Sequence, residues 1–238
     1  MSQHELLQTR VEQHKAKNIK SKKEDKNILC AANKVIDYLT ARFNMEENYP
    51  NYHLEFKKNI KLSDMISFIE KRGVRTGIYN LYGDDRTIAP DGGIIYLVDE
   101  KQDIKYPLVI SETKHQGTNK ERMKKGKKKQ AQGNAIERLG KNITAIKTYL
   151  HYENITPFVC FGQGSDFGEG EDYILSKVWV LNEFYDLNKI NVNKRDNDKE
   201  HGGYAPVSMF FREKEWSVDE LFEIMKEIAE YSFRYWLF

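Results

Sequence analysis

The chain has 238 residues, of which 39% are hydrophobic and 31% are charged, and its formal net charge is +2. This composition is too apolar for a disordered protein, and the length is sufficient for a buried core. The sequence has no run of about 20 apolar residues, and its start is polar and basic, so we expect neither a membrane span nor a secretory signal. Two cysteines are too few for a disulfide framework, which makes a reducing cytoplasm the expected location.

The predicted elements follow a basic, flexible N-terminal arm at residues 1–27. Apolar residues at helical spacing predict helices at 28–43, 62–71, 135–152 and 217–235. In the last of these, Ser217 and Glu220 have the spacing of a capping box. Alternating or continuous apolar runs predict strands at 87–98, 104–114 and 156–161, with a possible further strand at 178–181.

Two polar segments interrupt these elements, at residues 118–132 and 186–203. The first is strongly basic, because residues 114–141 contain ten Lys or Arg against two Glu. By contrast, residues 165–238 contain nine basic against sixteen acidic side chains. A basic band beside an acidic body is typical of a protein with a polyanion-binding face, although a solvated lysine-rich surface explains the charge equally well. Apolar elements continue on both sides of the basic segment, so residues 28–238 are predicted to form a single domain.

A pair of carboxylates and a lysine are predicted to meet where two of the strands pair. Pro90-Asp91-Gly92-Gly93-Ile94 lies on the first of these strands and Glu112-Thr113-Lys114 on the second. If they form a hairpin about a turn at 99–103, Asp91 lies opposite residue 111, next to Glu112. Since side chains alternate along a strand, Glu112 and Lys114 then share a face.

This set of side chains suits phosphodiester hydrolysis. Asp91 and Glu112 could hold Mg²⁺, with the backbone carbonyl of Thr113 as a further ligand. Lys114 could position the attacking water or stabilise the charged transition state. The glycine pair after Asp91 is expected to let a DNA backbone approach closely. The alternative is a surface hairpin in which Lys114 forms a simple salt bridge with either carboxylate.

The chain resembles the EcoRI-type restriction endonucleases of the PD-(D/E)xK nuclease superfamily. The likeness covers the segments 90–94, 114–117 and 133–138, followed by Lys141-Asn142-Ile143, with weaker echoes in the same order along most of the chain. The resemblance implies an α/β fold with a central mixed β-sheet flanked by helices. It also implies a bacterial, Mg²⁺-dependent homodimer that cuts double-stranded DNA at a palindrome with an AATT core, leaving 5′ overhangs. In this family the residues matching Asp91, Glu112 and Lys114 are catalytic.

The same resemblance implies that Asn134, Ala135, Glu137 and Arg138 read the AATT core in the major groove. Their chemistry is suitable, because an amide pairs with adenine, a guanidinium donates to a purine and a methyl group contacts thymine. The alternative is purely structural, with Asn134 as the N-cap of its helix and Glu137 completing a capping box. Both roles are compatible with each other.

Phosphate contacts are predicted for a set of cationic side chains: Lys124, Lys125, Lys127, Lys128, Lys129 and His115. His115 could instead support the site through a hydrogen bond. Gln130 is a predicted base-recognition residue, in the place of a methionine that contacts a pyrimidine in the family. The segment 181–186 lacks the arginines found in relatives. The outer base pair is therefore open: GAATTC is preferred, and CAATTG or a degenerate or bare AATT site are alternatives.

Two other functions are compatible with parts of the sequence. A repair or junction nuclease of the same superfamily would keep the catalytic set but recognise DNA structure. A DNA-binding protein without nuclease activity would have no need for two carboxylates beside phosphate. A restriction enzyme further implies a companion DNA adenine methyltransferase, as a genetic partner and not as a stable complex.

Overall fold

A computed structural model describes residues 25–73, 86–117, 123–126, 128, 133–168, 172–193 and 206–238. Residues 1–24 of the arm predicted at 1–27 lie outside these ranges, as do the predicted site residues Lys127, Lys129 and Gln130. Residues 25–27, which the prediction gave to the flexible arm, are helical instead. The helices are α1 (25–43), α2 (Met45–Asn48), α3 (Leu62–Lys71), α4 (Gly133–Tyr149), α5 (Asp172–Leu181) and α6 (Val218–Leu237), with a 3₁₀ turn at Ser165–Phe167. None of the helices in the described ranges is long and apolar enough to cross a bilayer.

The strands are β1 (Tyr52–Lys57), β2 (Ile60–Lys61), β3 (Thr87–Ile88), β4 (Gly93–Asp99), β5 (Ile104–His115), β6 (Phe158–Gln163) and β7 (Ser208–Arg212). Five of them form one sheet in the order β1-β4-β5-β6-β7, while β2 and β3 form a separate pair. The pairs β1–β4 and β4–β5 are antiparallel, and β5–β6 and β6–β7 are parallel. The expected α/β fold with a mixed sheet flanked by helices is confirmed.

The sheet is covered by helices because its central strands are apolar on both faces. Every residue of β4 is buried, as are all residues of β6. Helix α6 packs on β5, where Trp236 donates its indole N–H to the Pro107 carbonyl at 2.9 Å. Helix α1 lies beside α6, with Phe43 stacked on Phe233 at a centroid distance of 3.9 Å. Burial of aromatic and aliphatic side chains on both faces therefore holds the central strands rigidly.

All four predicted helices are confirmed, and α3 has its predicted bounds. The last helix has Ser217 as its N-cap, and Ser217 and Glu220 form the predicted capping box. The possible strand at 178–181 is wrong, because these residues are the last turn of α5. Val178 is buried while Trp179 and Val180 are exposed, which is a helical and not an alternating pattern.

The sequence prediction also differs from the fold in several of its strands. The predicted strand at 87–98 is two strands, β3 and β4, separated by a turn that contains Pro90 and Asp91. Proline cannot donate a ladder hydrogen bond, which favours a break at this point. Three strands were not predicted: β1 and β7, at the two edges of the main sheet, and the short β2.

Candidate active site

The turn before β4 and the end of β5 form one side of the candidate site, in a register that differs from the predicted one by two residues. Gly93, and not Asp91, lies opposite Ser111. One residue of the shift arises at the hairpin turn, where Asp99 pairs with Ile104. The other arises at a bulge between Ile95 and Tyr96. Asp91 therefore precedes the strand, in a turn closed by a 2.9 Å hydrogen bond from the Gly93 N–H to the Pro90 carbonyl.

Despite this shift, the three predicted catalytic side chains meet. The Lys114 ammonium donates to Asp91 Oδ2 at 3.0 Å and to Glu112 Oε1. The backbone N–H of Asp91 donates to Glu112 Oε2 at 3.2 Å. Because β5 alternates, Glu112 and Lys114 point to the same face and the side chain of Thr113 to the other. Backbone and side-chain contacts thus both tie the turn to the strand.

Burial is uneven within this triad. The side chain of Glu112 is only 1% exposed and that of Lys114 is 13% exposed, whereas that of Asp91 is 43% exposed. Burial raises the pKa of Glu112, and although the Lys114 charge opposes this, the net shift remains upward. Burial lowers the pKa of Lys114, but the Glu112 and Asp91 carboxylates more than offset it, so this pKa is also raised. Lys114 therefore carries its proton at neutral pH, and the cost of desolvation falls on Glu112.

Asn142 on α4 is a further residue at the site, to which the sequence assigned no role. Its amide Nδ2 donates to Glu112 Oε1 at 3.2 Å. Asn142 follows Arg138 by four residues, which places the two on the same side of α4. That spacing was a signal in the sequence, but the partner of Asn142 depends on how α4 packs against the sheet.

Gly92 and Gly93 have a different role from the predicted one. A Cβ at Gly92 would lie 2.3 Å from Ser111 Oγ and 2.5 Å from Ile28 Cδ1. Gly93 has a φ of +73°, and a Cβ there would lie 2.8 Å from the carbonyl oxygen of Lys57 on β1. The space beside both glycines is filled by the protein itself. Their small size thus allows the Asp91 turn to pack against α1, β1 and β5.

The donor set at this site fits Mg²⁺. The ion prefers oxygen ligands, keeps several waters and is commonly held by one or two carboxylates. Asp91 and Glu112 supply two carboxylates, and the exposure of Asp91 leaves room for solvent. No larger group of His, Cys, Asp and Glu with metal-binding geometry occurs in the part of the chain that the structure describes.

The predicted base-reading residues lie at the start of α4. Asn134 and Ala135 belong to its first turn, while Glu137 and Arg138 are exposed. Since α4 includes Gly133, Asn134 lies inside the helix and not at the predicted cap position. The bounds of α4 therefore do not support the capping-box alternative.

The predicted phosphate contacts are exposed wherever the structure describes them. This holds for Lys124, Lys125 and Lys128, and for His115 at the end of β5. Lys127, Lys129 and Gln130 are outside the described residues. The structure thus leaves three of these lysines exposed on the segment that connects β5 to α4, and His115 exposed at the end of β5.

Comparisons with known proteins point to one family. A family model described as "Restriction endonuclease EcoRI" matches residues 11–174. The chain is 30% identical over 131 residues to the type II restriction enzyme RsrI of Cereibacter sphaeroides and, over the same length, to the type II restriction enzyme EcoRI of Escherichia coli. Each match covers 52% of this chain and 47% of the relative. The chain thus spans about half the length of the curated relatives it matches.

Proposed function

Because the chain belongs to the EcoRI restriction endonuclease family, we propose that it is a type II restriction endonuclease acting on double-stranded DNA. The observation that carries this proposal is the convergence of Asp91, Glu112 and Lys114 at one end of the sheet. The proposed site is a palindrome with an AATT core, preferably GAATTC, with CAATTG and a degenerate or bare AATT as alternatives. Cleavage would leave 5′ overhangs.

Asp91 and Glu112 would hold Mg²⁺, with the backbone carbonyl of Thr113 as a proposed third protein ligand. When bound there, the ion would supply positive charge to the scissile phosphate and lower the pKa of a water. Glu112 is suited to orient a ligand oxygen, since three hydrogen bonds from Asp91, Lys114 and Asn142 restrain its carboxylate. The more exposed Asp91 would complete the site from the solvent side.

Lys114 acts in this proposal as a hydrogen-bond donor and a positive charge. Its raised pKa keeps the ammonium protonated, which makes it unsuitable as a general base at neutral pH. An ammonium in this position can orient the attacking water by donating a hydrogen bond to its oxygen. It can also stabilise the negative charge that develops on the phosphate. His115 follows on the exposed end of β5, where we propose a contact with a neighbouring phosphate.

We assign the recognition of DNA bases to the start of α4. Asn134, Ala135, Glu137 and Arg138 would face the base edges, and Gln130 would contribute at the outer pair. Support comes from the exposure of Glu137 and Arg138 and from the link between α4 and the triad through Asn142. A helix start in the major groove is a common arrangement for direct readout.

Binding would also depend on phosphate contacts and on symmetry. The proposed phosphate ligands are the lysines at 124, 125 and 127–129, together with His115. A two-fold homodimer would match the palindrome and cut both strands. The proposed setting is a bacterial cytoplasm in which a DNA adenine methyltransferase protects the host's own sites.

The test is cleavage of plasmid DNA with Mg²⁺, followed by sequencing of the fragment ends. We expect ends that share one palindrome with an AATT core, 5′ overhangs, and protection when that site is adenine-methylated. Asp91→Ala should remove nearly all of the cutting, with a fall in rate of about 1,000-fold, which excludes a contaminating nuclease.

Other outcomes of this test identify other functions. Ends at random positions, or preferential cutting of hairpins and four-way junctions, would replace the proposal with a structure-specific nuclease. Binding to duplex DNA without cleavage at any Mg²⁺ concentration would replace it with a DNA-binding protein.

A further inference from the structure

The carboxylate of Glu112 is held asymmetrically. Its Oε1 accepts from both Lys114 and Asn142, while its Oε2 accepts, among the described residues, from the Asp91 N–H at 3.2 Å. A carboxylate oxygen has about two acceptor positions. Oε1 is therefore fully used by protein donors, and Oε2 retains a lone pair for a cation.

Asn142 is the donor of this set that does not belong to the Asp91 turn or to β5. It lies on α4, 30 residues from Glu112 in the chain, and reaches the sheet from the covering layer of helices. Arg138 is one helical turn earlier on the same side of α4, at a spacing that places the Cβ atoms of two residues about 5–6 Å apart. A single rigid helix thus carries both a candidate base-reading guanidinium and a hydrogen bond to a candidate metal ligand.

We propose that Asn142 is a positioning residue that links the placement of the base-reading helix to the orientation of Glu112. With α4 in its described position, Asn142 fills the second acceptor site of Oε1 and turns Oε2 towards the cation. If a wrong base sequence displaces α4, this hydrogen bond lengthens and Glu112 loses its orientation. The inference rests on the proposed nuclease function and adds to it a route by which correct recognition permits cleavage.

The main test compares Asn142→Ala with Thr144→Ala, an exposed position on the same helix whose hydroxyl donates to the Gly140 carbonyl at 2.9 Å. Mn²⁺ is used as the probe of the protein alone, with bound metal followed by electron paramagnetic resonance. Partners that orient metal ligands typically affect metal affinity or activity by about 10–100-fold. We expect Mn²⁺ binding to weaken by about 10-fold in Asn142→Ala and to be unchanged in Thr144→Ala.

Two further measurements separate a positioning role from other roles. The affinity for duplex DNA in EDTA should be the same for both variants, and Asn142→Gln, which keeps an amide donor, should recover part of the Mn²⁺ affinity. In single-turnover cleavage with Mg²⁺, Asn142→Ala should require a higher metal concentration for half-maximal rate. The losses in rate from Asn142→Ala and Arg138→Ala should be non-additive, because both act through α4.

Each other outcome counts against the inference. Equal Mn²⁺ affinity in Asn142→Ala and Thr144→Ala would overturn it. Weaker DNA binding in EDTA with unchanged Mn²⁺ affinity would make Asn142 a DNA contact instead. If the rate losses from Asn142→Ala and Arg138→Ala were additive, the proposed link between base recognition and the orientation of Glu112 would be wrong. If the unmodified protein binds Mn²⁺ but does not cut DNA, the proposed function fails, while the Mn²⁺ comparison still decides whether Asn142 positions Glu112.

Discussion

The Lys114 ammonium lies 3.0 Å from Asp91 Oδ2, although the two residues are 23 positions apart in the chain. This contact joins the turn before β4 to the end of β5, two elements that meet only because the strands pair. The ion pair is unequal, since Lys114 is largely buried and Asp91 is half-exposed. The two carboxylates of the site should therefore respond differently to removal.

Removal of Asp91 should affect cleavage much more than folding. Its side chain is half-exposed, so Asp91→Ala leaves no buried group without a partner, and Lys114 keeps Glu112. We expect the single-turnover cleavage rate with Mg²⁺ to fall by about 1,000-fold, as for loss of a group that stabilises the transition state. Thermal unfolding should change little. Glu100→Ala, at the exposed turn between β4 and β5, is the control; an equal loss of rate there would contradict the assignment.

Removal of the Glu112 charge should instead abolish cleavage and stabilise the protein without metal. Burial raises the pKa of Glu112, so its ionised form is costlier in the folded chain than in the unfolded chain. The penalty appears as pH rises above the ordinary value of 4.5 and is complete above the raised pKa. Glu112→Gln should therefore unfold at a higher temperature than the unmodified protein at neutral pH in EDTA, with a shift of about 2–4 °C for each kcal/mol.

The difference in unfolding temperature between Glu112→Gln and the unmodified protein should disappear as the pH falls below 4.5, where residue 112 is neutral in both proteins. A Glu112→Gln variant that is less stable at neutral pH would show that the ion pair with Lys114 outweighs the cost of burial.

Gly93 should tolerate a side chain less well than Gly73, although both have positive φ values, of +73° and +85°. Among the described residues, an alanine at Gly73 would contact nothing within 4 Å, so the cost expected there is the backbone strain, about 1–2 kcal/mol. At Gly93 a Cβ would also collide with Phe56 and the Lys57 carbonyl. Chemical denaturation should show a larger loss of unfolding free energy for Gly93→Ala, together with slower cleavage. Equal losses at the two positions would mean that β1 moves freely away from the turn.

The basic segment between β5 and α4 should control the salt dependence of DNA binding. Lys124 and Lys125 are exposed there, and each phosphate that they neutralise contributes about −0.9 to the slope of log affinity against log salt. In the proposed homodimer each substitution removes one contact per protomer, so Lys124→Ala and Lys125→Ala should each reduce the slope by about two units, measured by fluorescence anisotropy without divalent metal. Lys101→Ala, at the opposite end of the β4–β5 hairpin, should leave it unchanged. If all three variants had the same slope as the unmodified protein, Lys124 and Lys125 would not contact DNA phosphates.

Glu220 should contribute to stability in mild acid. Arg212 donates to both of its carboxylate oxygens at 2.7 Å and, with the Ser217 backbone, lowers the pKa of Glu220 from 4.5 to about 2. A carboxyl group with a lowered folded pKa stabilises the fold above the unfolded value and loses this effect as the pH falls towards the folded value. The unmodified protein should be more stable than Glu220→Gln at neutral pH, and the difference should shrink between pH 4.5 and 2.

The matched variant for this comparison is Glu223→Gln, whose partner Lys226 lies on the same exposed helix face. Glu223→Gln leaves the Arg212–Glu220 pair intact, so this variant should keep the loss of stability between pH 4.5 and 2 that Glu220→Gln lacks. If Glu223→Gln lacked that loss as well, the acid sensitivity would belong to α6 in general and not to its capping box.

Local sequence patterns predicted the elements in which the apolar spacing and the flanking turn residues indicate the same structure. Helix α3 was predicted with its bounds because its apolar spacing and the following Gly73 agree. Strand β1 could also have been found, since Tyr52-His53-Leu54-Glu55-Phe56-Lys57 alternates between apolar and polar residues. Val178–Leu181 was misassigned because four consecutive apolar residues are too short to distinguish a helix from a strand.

The candidate site was predictable in composition but not in geometry. Strand alternation predicted that Glu112 and Lys114 share a face, and the predicted hairpin brought Asp91 near them. The register of that hairpin could not be predicted, because the bulge at Ile95/Tyr96 has no signature in an entirely apolar strand. The contact of Asn142 with Glu112 was equally hidden, since it depends on how a helix packs across the sheet. Properties that arise between layers are not encoded in any single segment.

The direction of β5 places the candidate site and the hairpin turn at residues 100–103 at opposite ends of the same strand pair. That turn is exposed and is held by Asp99, whose carboxylate accepts from the Lys101 and Gln102 backbone N–H groups. A dye attached at Gln102→Cys, in a Cys30→Ser background that leaves only the buried Cys160, would sit far along the sheet from the triad. The fold thus offers a labelling position from which tumbling on DNA can be followed while the chemistry is left undisturbed.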